Sequence, residues 1–195
     1  HLPFRKPGTY CLGFDLVTWP GHLAISGDMG DYVFTRLEDM FEFFRTKPNW
    51  SVDAPYANYG YWSEKCVASS TQNSGHGLKP GIKSFSPELF RKAVISDFRD
   101  YTKSRGIVYG LKDAVRNLLR AEDDYFEAIC AIRDFYHADQ NGKLHNPFQD
   151  FFEHTVEEYT HHFQWICYAI SWGIMQYDEM KSGVGLERAS TSEGN

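Results

Sequence analysis

The stretch from Phe152 to Tyr177, FEHTVEEYTHHFQWICYAISWGIMQY, decides the fold class: Phe152, Val156, Tyr159, Phe163, Ile166, Ile170, Gly173 and Tyr177 fall at alternating steps of four and three. That spacing is the seam of an amphipathic helix. At about 1.5 Å per residue it predicts one terminal helix roughly 40 Å long, which needs a partner along its whole length. From Phe163 onward the opposite side turns apolar too, through Trp165, Ala169 and Trp172, so the C-terminal half is expected to be central. If the seam exceeds what the chain itself covers, a homodimer follows.

Residues 10 to 36 follow a different period. Tyr10, Leu12, Phe14 and Leu16 alternate, Trp19-Pro20-Gly21-His22 reverses the chain, and Leu23 and Ile25 alternate again. Gly27-Asp28-Met29-Gly30 then turns into Tyr32, Phe34 and Arg36, which gives a three-stranded antiparallel meander. Leu37, Met40, Phe41 and Phe44 follow at helical spacing and predict a short helix laid on one face of that sheet. Residues 46–87 lose periodicity; the first half, with Trp50, Tyr56, Tyr59, Tyr61 and Trp62, is expected to pack down, and Ser69 to Gly81 to stay flexible.

The rest, residues 88–181, reads as helical. Ser86-Pro87-Glu88 combines an N-cap, a first-turn proline and an acid at the positive helix end, and Phe90, Val94, Phe98 and Tyr101 mark the buried face. Leu111, Ala114, Val115 and Leu118 begin a second helix, and Tyr125, Ile129, Ile132 and Tyr136 mark a third. The expectation is therefore an α+β fold: a small antiparallel three-stranded meander packed against a helical bundle with a long central C-terminal helix. It forms one domain over 1–181, with a frayed tail at 182–195.

The 195 residues are 42% hydrophobic and 24% charged, an ordinary globular mix that supports a real core. The excess lies in aromatics, 16%, a load that either thickens a core or serves a partner. A net charge of -6 argues against binding nucleic acid by bulk electrostatics. Cys11, Cys66, Cys130 and Cys167 lie far apart, as expected of reduced thiols in a cytosol. The Phe163–Met175 run is too short to cross a bilayer and the opening residues lack a signal-peptide pattern, so a soluble cytoplasmic protein with no membrane partner is expected.

Several groups could carry chemistry. On the predicted terminal helix, His154, Glu158 and His161 would line up at steps of four and three, and Glu158-x-x-His161 is the pair that di-iron bundles use. A metal-dependent hydrolase or nuclease on these three is one reading, although no second such pair is present; a solvated polar face is the plainer one. His137-x-Asp139-x-Asn141-Gly142 imitates part of a calcium loop but lacks its terminal acids, and reads instead as a turn ending the preceding helix. Gly27-Asp28-Met29-Gly30 reads as a hairpin turn rather than a phosphate cradle, since Asp28 and Asp31 would repel the anion. No cofactor is expected.

Charge is unevenly spread. Residues 91–120 hold eight basic residues, among them Arg91, Arg99, Lys103 and Arg116, against three acids, a local balance of +5. Residues 121–180 hold two basic residues against twelve acids, a balance of -10. Such faces either complement each other within the fold or dock a partner. The candidate binding residues are thus Trp50, Tyr59 and Trp62 in the aromatic segment and Arg91, Arg99, Lys103 and Arg116 in the basic one.

The segments 14–23 (FDLVTWPGHL), 27–30 (GDMG) and 39–44 (DMFEFF), with Trp165, Cys167 and Trp172-Gly173 near the C-terminus, resemble a family of uncharacterised proteins encoded by bacteriophages and prophages. The resemblance implies a setting, an accessory phage protein in the cytoplasm of a bacterial host, and transfers no catalytic residue. With it, the expectation is a non-enzymatic protein that binds a host protein or a small anionic ligand, for example a counter-defence inhibitor. The rival readings are the metal-dependent enzyme on His154, Glu158 and His161 and a nucleic-acid binder acting through residues 91–120.

Overall fold

A computed structural model describes residues 1–9, 11–45, 57–70, 81–121 and 124–183, with Ser70 and Ala121 described by backbone alone. In chain order the first elements are β1 (Leu2–Phe4), β2 (Phe14–Trp19), β3 (His22–Gly27), β4 (Asp31–Thr35), α1 (Met40–Phe44), α2 (Tyr59–Glu64), β5 (Cys66–Ser70) and β6 (Lys83–Phe85). There follow α3 (Pro87–Arg105), α4 (Leu111–Leu118), α5 (Tyr125–Arg133), β7 (His137–Ala138), β8 (Leu144–His145), β9 (Glu157–Tyr159) and α6 (His161–Lys181). The fold is α+β. By their contacts the described residues group into two compact units, one drawn from residues 1–83 and 159–183 and one from residues 84–158.

The first unit is built on an antiparallel sheet in the order β1-β2-β3-β4-β5. The period-two pattern turns Phe14, Leu16, Leu23, Ile25, Tyr32 and Phe34 to one face, where all six are buried. Register keeps them in rows: Leu16 opposes Ile25, which opposes Tyr32. The expected three strands are present and the sheet has two more. β1 carries Pro3, tolerated because the strand lies at an edge, and β5 pairs with β4 through an irregularity at Val33/Phe34. That irregularity displaces Val67 from any clean alternation, which is why Cys66–Ser70 reads as loop.

The turn chemistry fits the predicted hairpins. Gly21 sits at φ 78°, and the Asp28 carboxylate accepts from Leu12 N–H at 2.6 Å, tying the 27–30 turn to the β1–β2 connection. Gly27 is obligatory there: a Cβ would lie 2.2 Å from the Gly13 carbonyl oxygen. In α1 the Asp39 side chain caps Phe41 N–H, and Met40, Phe41 and Phe44 are buried. Leu37, expected on that stripe, precedes the helix and is exposed.

α6 covers the buried face of the sheet with Phe163, Ile166, Cys167, Ile170 and Ile174. Gly173 permits close approach, with Leu16 and Phe4 filling the space a side chain would need. The predicted seam therefore holds from Phe163 on, but the single helix over the whole stretch does not. Thr160 starts α6 as an N-cap: its hydroxyl oxygen accepts from Phe163 N–H at 3.1 Å while donating to the Gly81 carbonyl at 2.6 Å. Before it the chain runs through a 3-10 turn (Phe151–Glu153) and β9. Thr155, Val156 and Thr160 are β-branched, which favours this extended path. The four-three steps thus cross from one unit to the other: Val156 is buried in the second, Tyr159 packs in the first, and Phe152 is 66% exposed. Nor is the last helix surrounded, since Tyr168, Trp172 and Met175 are exposed.

The second unit packs α3, α4 and α5 with the β7–β8 hairpin and the 3-10 turn around Phe90, Val94, Leu111, Val115, Ile132, Phe148 and Phe151. Ser86 caps α3 as expected, accepting from Leu89 N–H, and Pro87 occupies the first turn. The segment after α5 is not a plain helix stop. It is a hairpin in which Asp139 accepts from the N–H groups of Asn141 (2.8 Å) and Lys143 (3.0 Å).

Candidate functional site

The side chains that organise the second unit converge on α3. One turn apart on its inner side stand Asp97 and Tyr101, and each meets a histidine. His154 Nε2 lies 2.6 Å from Asp97 Oδ1. The Tyr101 hydroxyl lies 2.7 Å from His145 Nδ1, and His145 Nε2 lies 3.1 Å from Asp139 Oδ2. A carboxylate only accepts, so Nε2 carries the proton toward Asp139 and Nδ1 accepts from tyrosine; a neutral imidazole satisfies both bonds. His145 is 6% exposed, so these bonds replace water it has lost. The hydrogen bond from His145, joined by those from Lys143 and Asn141, holds the Asp139 carboxyl below the usual carboxylate range. The Arg105 guanidinium lies 5.5 Å from the Tyr101 ring centre.

Beside this chain of bonds the α3–α4 loop, residues 106–110, is fixed at both ends. Gly106 at φ 83° ends α3 with its N–H on the Thr102 carbonyl at 2.8 Å. Gly110 at φ 77° opens α4, and His137 Nε2 donates to the Tyr109 carbonyl at 2.8 Å. Glycine is favoured at 110 by its φ, and the His137 ring, 3.1 Å from where a Cβ would stand, would have to give slightly to admit a side chain. Val108 packs inward, while Ile107 is 96% and Tyr109 76% exposed.

The outer side of α3 is basic. Lys92, Ile95, Arg99 and Lys103 follow at steps of three and four and share a stripe. Lys92 is paired to Glu88 at 2.7 Å, whereas among the described residues Arg99 and Lys103 make no ion pair, and exposed Asp100 is the one acid beside them on the helix. Arg116, on α4, is held by Asp113 at 2.7 Å. Arg91, Arg99 and Lys103 thus lie on one helix and Arg116 on the next.

The aromatic candidates do not join them. Trp62 is 3% exposed, edge-on to Phe44 at 4.7 Å, and serves the first unit's core rather than a ligand. Its helix starts at Asn58, whose side chain caps Tyr61 N–H. Tyr59 is half-buried against Tyr159 and Tyr168, and burial raises its hydroxyl pKa. Trp50 lies outside the described residues.

The proposed metal row is not a row. His154 follows the 3-10 turn and is engaged by Asp97, Glu158 is exposed on β9, and His161 is exposed in the first turn of α6. The helical spacing that would have aligned them is absent, because Thr160 starts the helix after two of the three. Among the described residues no group of three or more His, Cys, Asp or Glu could hold a metal ion. The cysteines are free thiols; burial pushes Cys66 up to about 11 and raises Cys167 as well, which keeps both protonated and poorly nucleophilic. No helix among the described residues is long and apolar enough to cross a membrane.

Sequence reasoning missed Tyr101, His145 and Asp139 as one group and Ile107 and Tyr109 as a presented pair. For the second a signal exists: Ile107-Val108-Tyr109 lies between glycines at a helix boundary, an apolar run where a polar turn is the rule. No family model, no curated protein and no solved structure matches the chain.

Proposed function

We propose that this chain is a non-enzymatic binding protein, a phage accessory factor that acts in the bacterial cytoplasm on a host protein or a small anionic ligand. The observation that carries this reading is the outer side of α3, where Arg99 and Lys103 lie exposed and, among the described residues, without an ion-pair partner, on a chain of net charge -6. A surplus of one sign on one face of an oppositely charged molecule steers complementary partners and repels others. The histidines support the same reading: both ring nitrogens of His145 are engaged within the fold, and His154 is tied through Nε2 to Asp97.

The test is affinity purification from bacterial lysate with the full chain and an Arg99→Glu/Lys103→Glu double variant in parallel. A protein or nucleotide retained by the chain and lost by the variant is the expected result; identical recoveries overturn the proposal. Elemental analysis of unchelated protein addresses the metal-enzyme rival, which stoichiometric zinc, manganese or iron would revive.

A further inference from the structure

From the α3–α4 loop and the stripe that leads into it, we infer that the partner is a protein and that it contributes an acidic segment carrying large apolar side chains. This rests on the binding reading above and names the chemistry of what is bound. The loop is the strongest anomaly on the second unit. Ile107, a branched aliphatic that gains nothing from water, is 96% exposed, and Tyr109 is 76% exposed. Just past a helix C-terminus an apolar side chain ordinarily folds back on the last turn. Here Gly106 takes φ 83° with ψ 179°, extended rather than left-handed helical, and sends Ile107 outward.

The backbone is not loose. Gly106 N–H on the Thr102 carbonyl, His137 on the Tyr109 carbonyl, Leu111 N–H on the Val108 carbonyl at 3.3 Å and the inward packing of Val108 hold the loop in one shape. A side chain presented on a held backbone loses little entropy on binding, and for that reason such anchors dominate the energy of protein interfaces.

The surroundings specify the charge of the occupant. Arg99 and Lys103 precede the loop on the outer stripe, Ile95 stands one turn before them at 40% exposure, and exposed Lys112 follows on α4. An acidic segment satisfies the cations, and its apolar side chains cover Ile95 and Ile107. Nucleic acid would satisfy the cations alone: it leaves Ile107 in water and must approach a chain of net charge -6.

The probe is a library of random displayed peptides selected on the full chain, the best of them titrated against the chain and its variants. The expected result is enrichment of peptides combining Asp or Glu with large apolar residues. Their affinity should fall roughly 100-fold with Ile107→Asp, about tenfold with Tyr109→Ala, and lose most of its salt dependence with Arg99→Glu/Lys103→Glu. Ile107 and Tyr109 touch solvent, so unchanged thermal unfolding separates lost binding from lost folding; Ile107→Ala, expected to weaken binding about tenfold, serves where Ile107→Asp unfolds. Peptides whose binding ignores every loop variant overturn this inference and leave the binding reading standing, whereas no enrichment at all counts against both. Salt-dependent binding of a 20-mer DNA duplex that Arg99→Glu/Lys103→Glu abolishes assigns the face to nucleic acid and overturns the inference. A dimer in sedimentation that Ile107→Asp dissociates assigns it to a second copy and overturns it as well.

Discussion

The two units solve the same problem by different means. In the first, rings and aliphatics do nearly everything: Phe163 touches Tyr32 and Phe34, Phe34 meets Phe44, Phe44 meets Trp62, and the buried Tyr32 hydroxyl donates to the Gly81 carbonyl at 3.2 Å. In the second, a smaller apolar cluster is joined by side-chain hydrogen bonds from α3 to the hairpin and the 3-10 turn. The difference teaches where each is vulnerable. An apolar interior fails when volume is lost or forced in, while a polar clasp fails when one partner goes missing and leaves the other dry.

The largest effect is expected from the cores. Phe163→Ala and Phe90→Ala should each cost about 3–5 kcal/mol, since both rings are fully buried. Hydrogen exchange sharpens the comparison: Phe163→Ala should strip protection first from β2–β4 and α6, and Phe90→Ala from α3 to α5. Simultaneous loss throughout the chain under either substitution would break the division into two units. Next comes Gly27→Ala, expected to cost about 3 kcal/mol in urea unfolding because the new Cβ meets Gly13 backbone, which cannot retreat as a side-chain tip can.

Smaller is Tyr101→Phe, which removes the donor to His145 Nδ1 and should cost about 1–2 kcal/mol with no change of volume. A neutral result there would mean that water replaces the hydroxyl and that the clasp is wetter than described. The smallest effect is the dependence on acid. Asp178, held by Arg45 at 2.8 and 2.9 Å, and Asp139, held by His145, both have pKa values below the usual carboxylate range. Each therefore contributes stability that is complete above the unfolded value of about 4 and is lost as pH falls through the lower folded one. Urea midpoints measured from pH 6 to pH 2 should fall across that window, and Asp139→Asn should flatten the fall for the second unit while Arg45→Ala flattens it for the first.

Much of this was legible locally. Strands β2 to β4 follow from alternation and glycine turns, the start of α3 from Ser86-Pro87, and the buried half of α6 from its seam. The errors share a cause: a pattern continued past the physics that supports it. The four-three steps of 152–159 suggested a helix and, with it, an aligned His154, Glu158 and His161. The residues that stop the helix, Thr155, Val156 and Thr160, were present in the sequence but weigh little against a period without gaps. Trp62 reads in the sequence as a ligand-facing ring because burial of an aromatic in an aperiodic segment depends on what lies beneath it, here Phe44 from another helix.

The order of residues alone determined the mixed α+β class, the turns of the β2–β4 hairpins, the Ser86 cap of α3 and the surplus of positive charge on 91–120, because each depends on neighbours within one or two turns of chain. Tertiary structure decided which unit each half of the terminal stretch joins, that Tyr101, His145 and Asp139 meet, and that Ile107 is left in water. Those outcomes depend on contacts across tens of residues, where hydrophobic burial and the satisfaction of buried hydrogen bonds outweigh any local period.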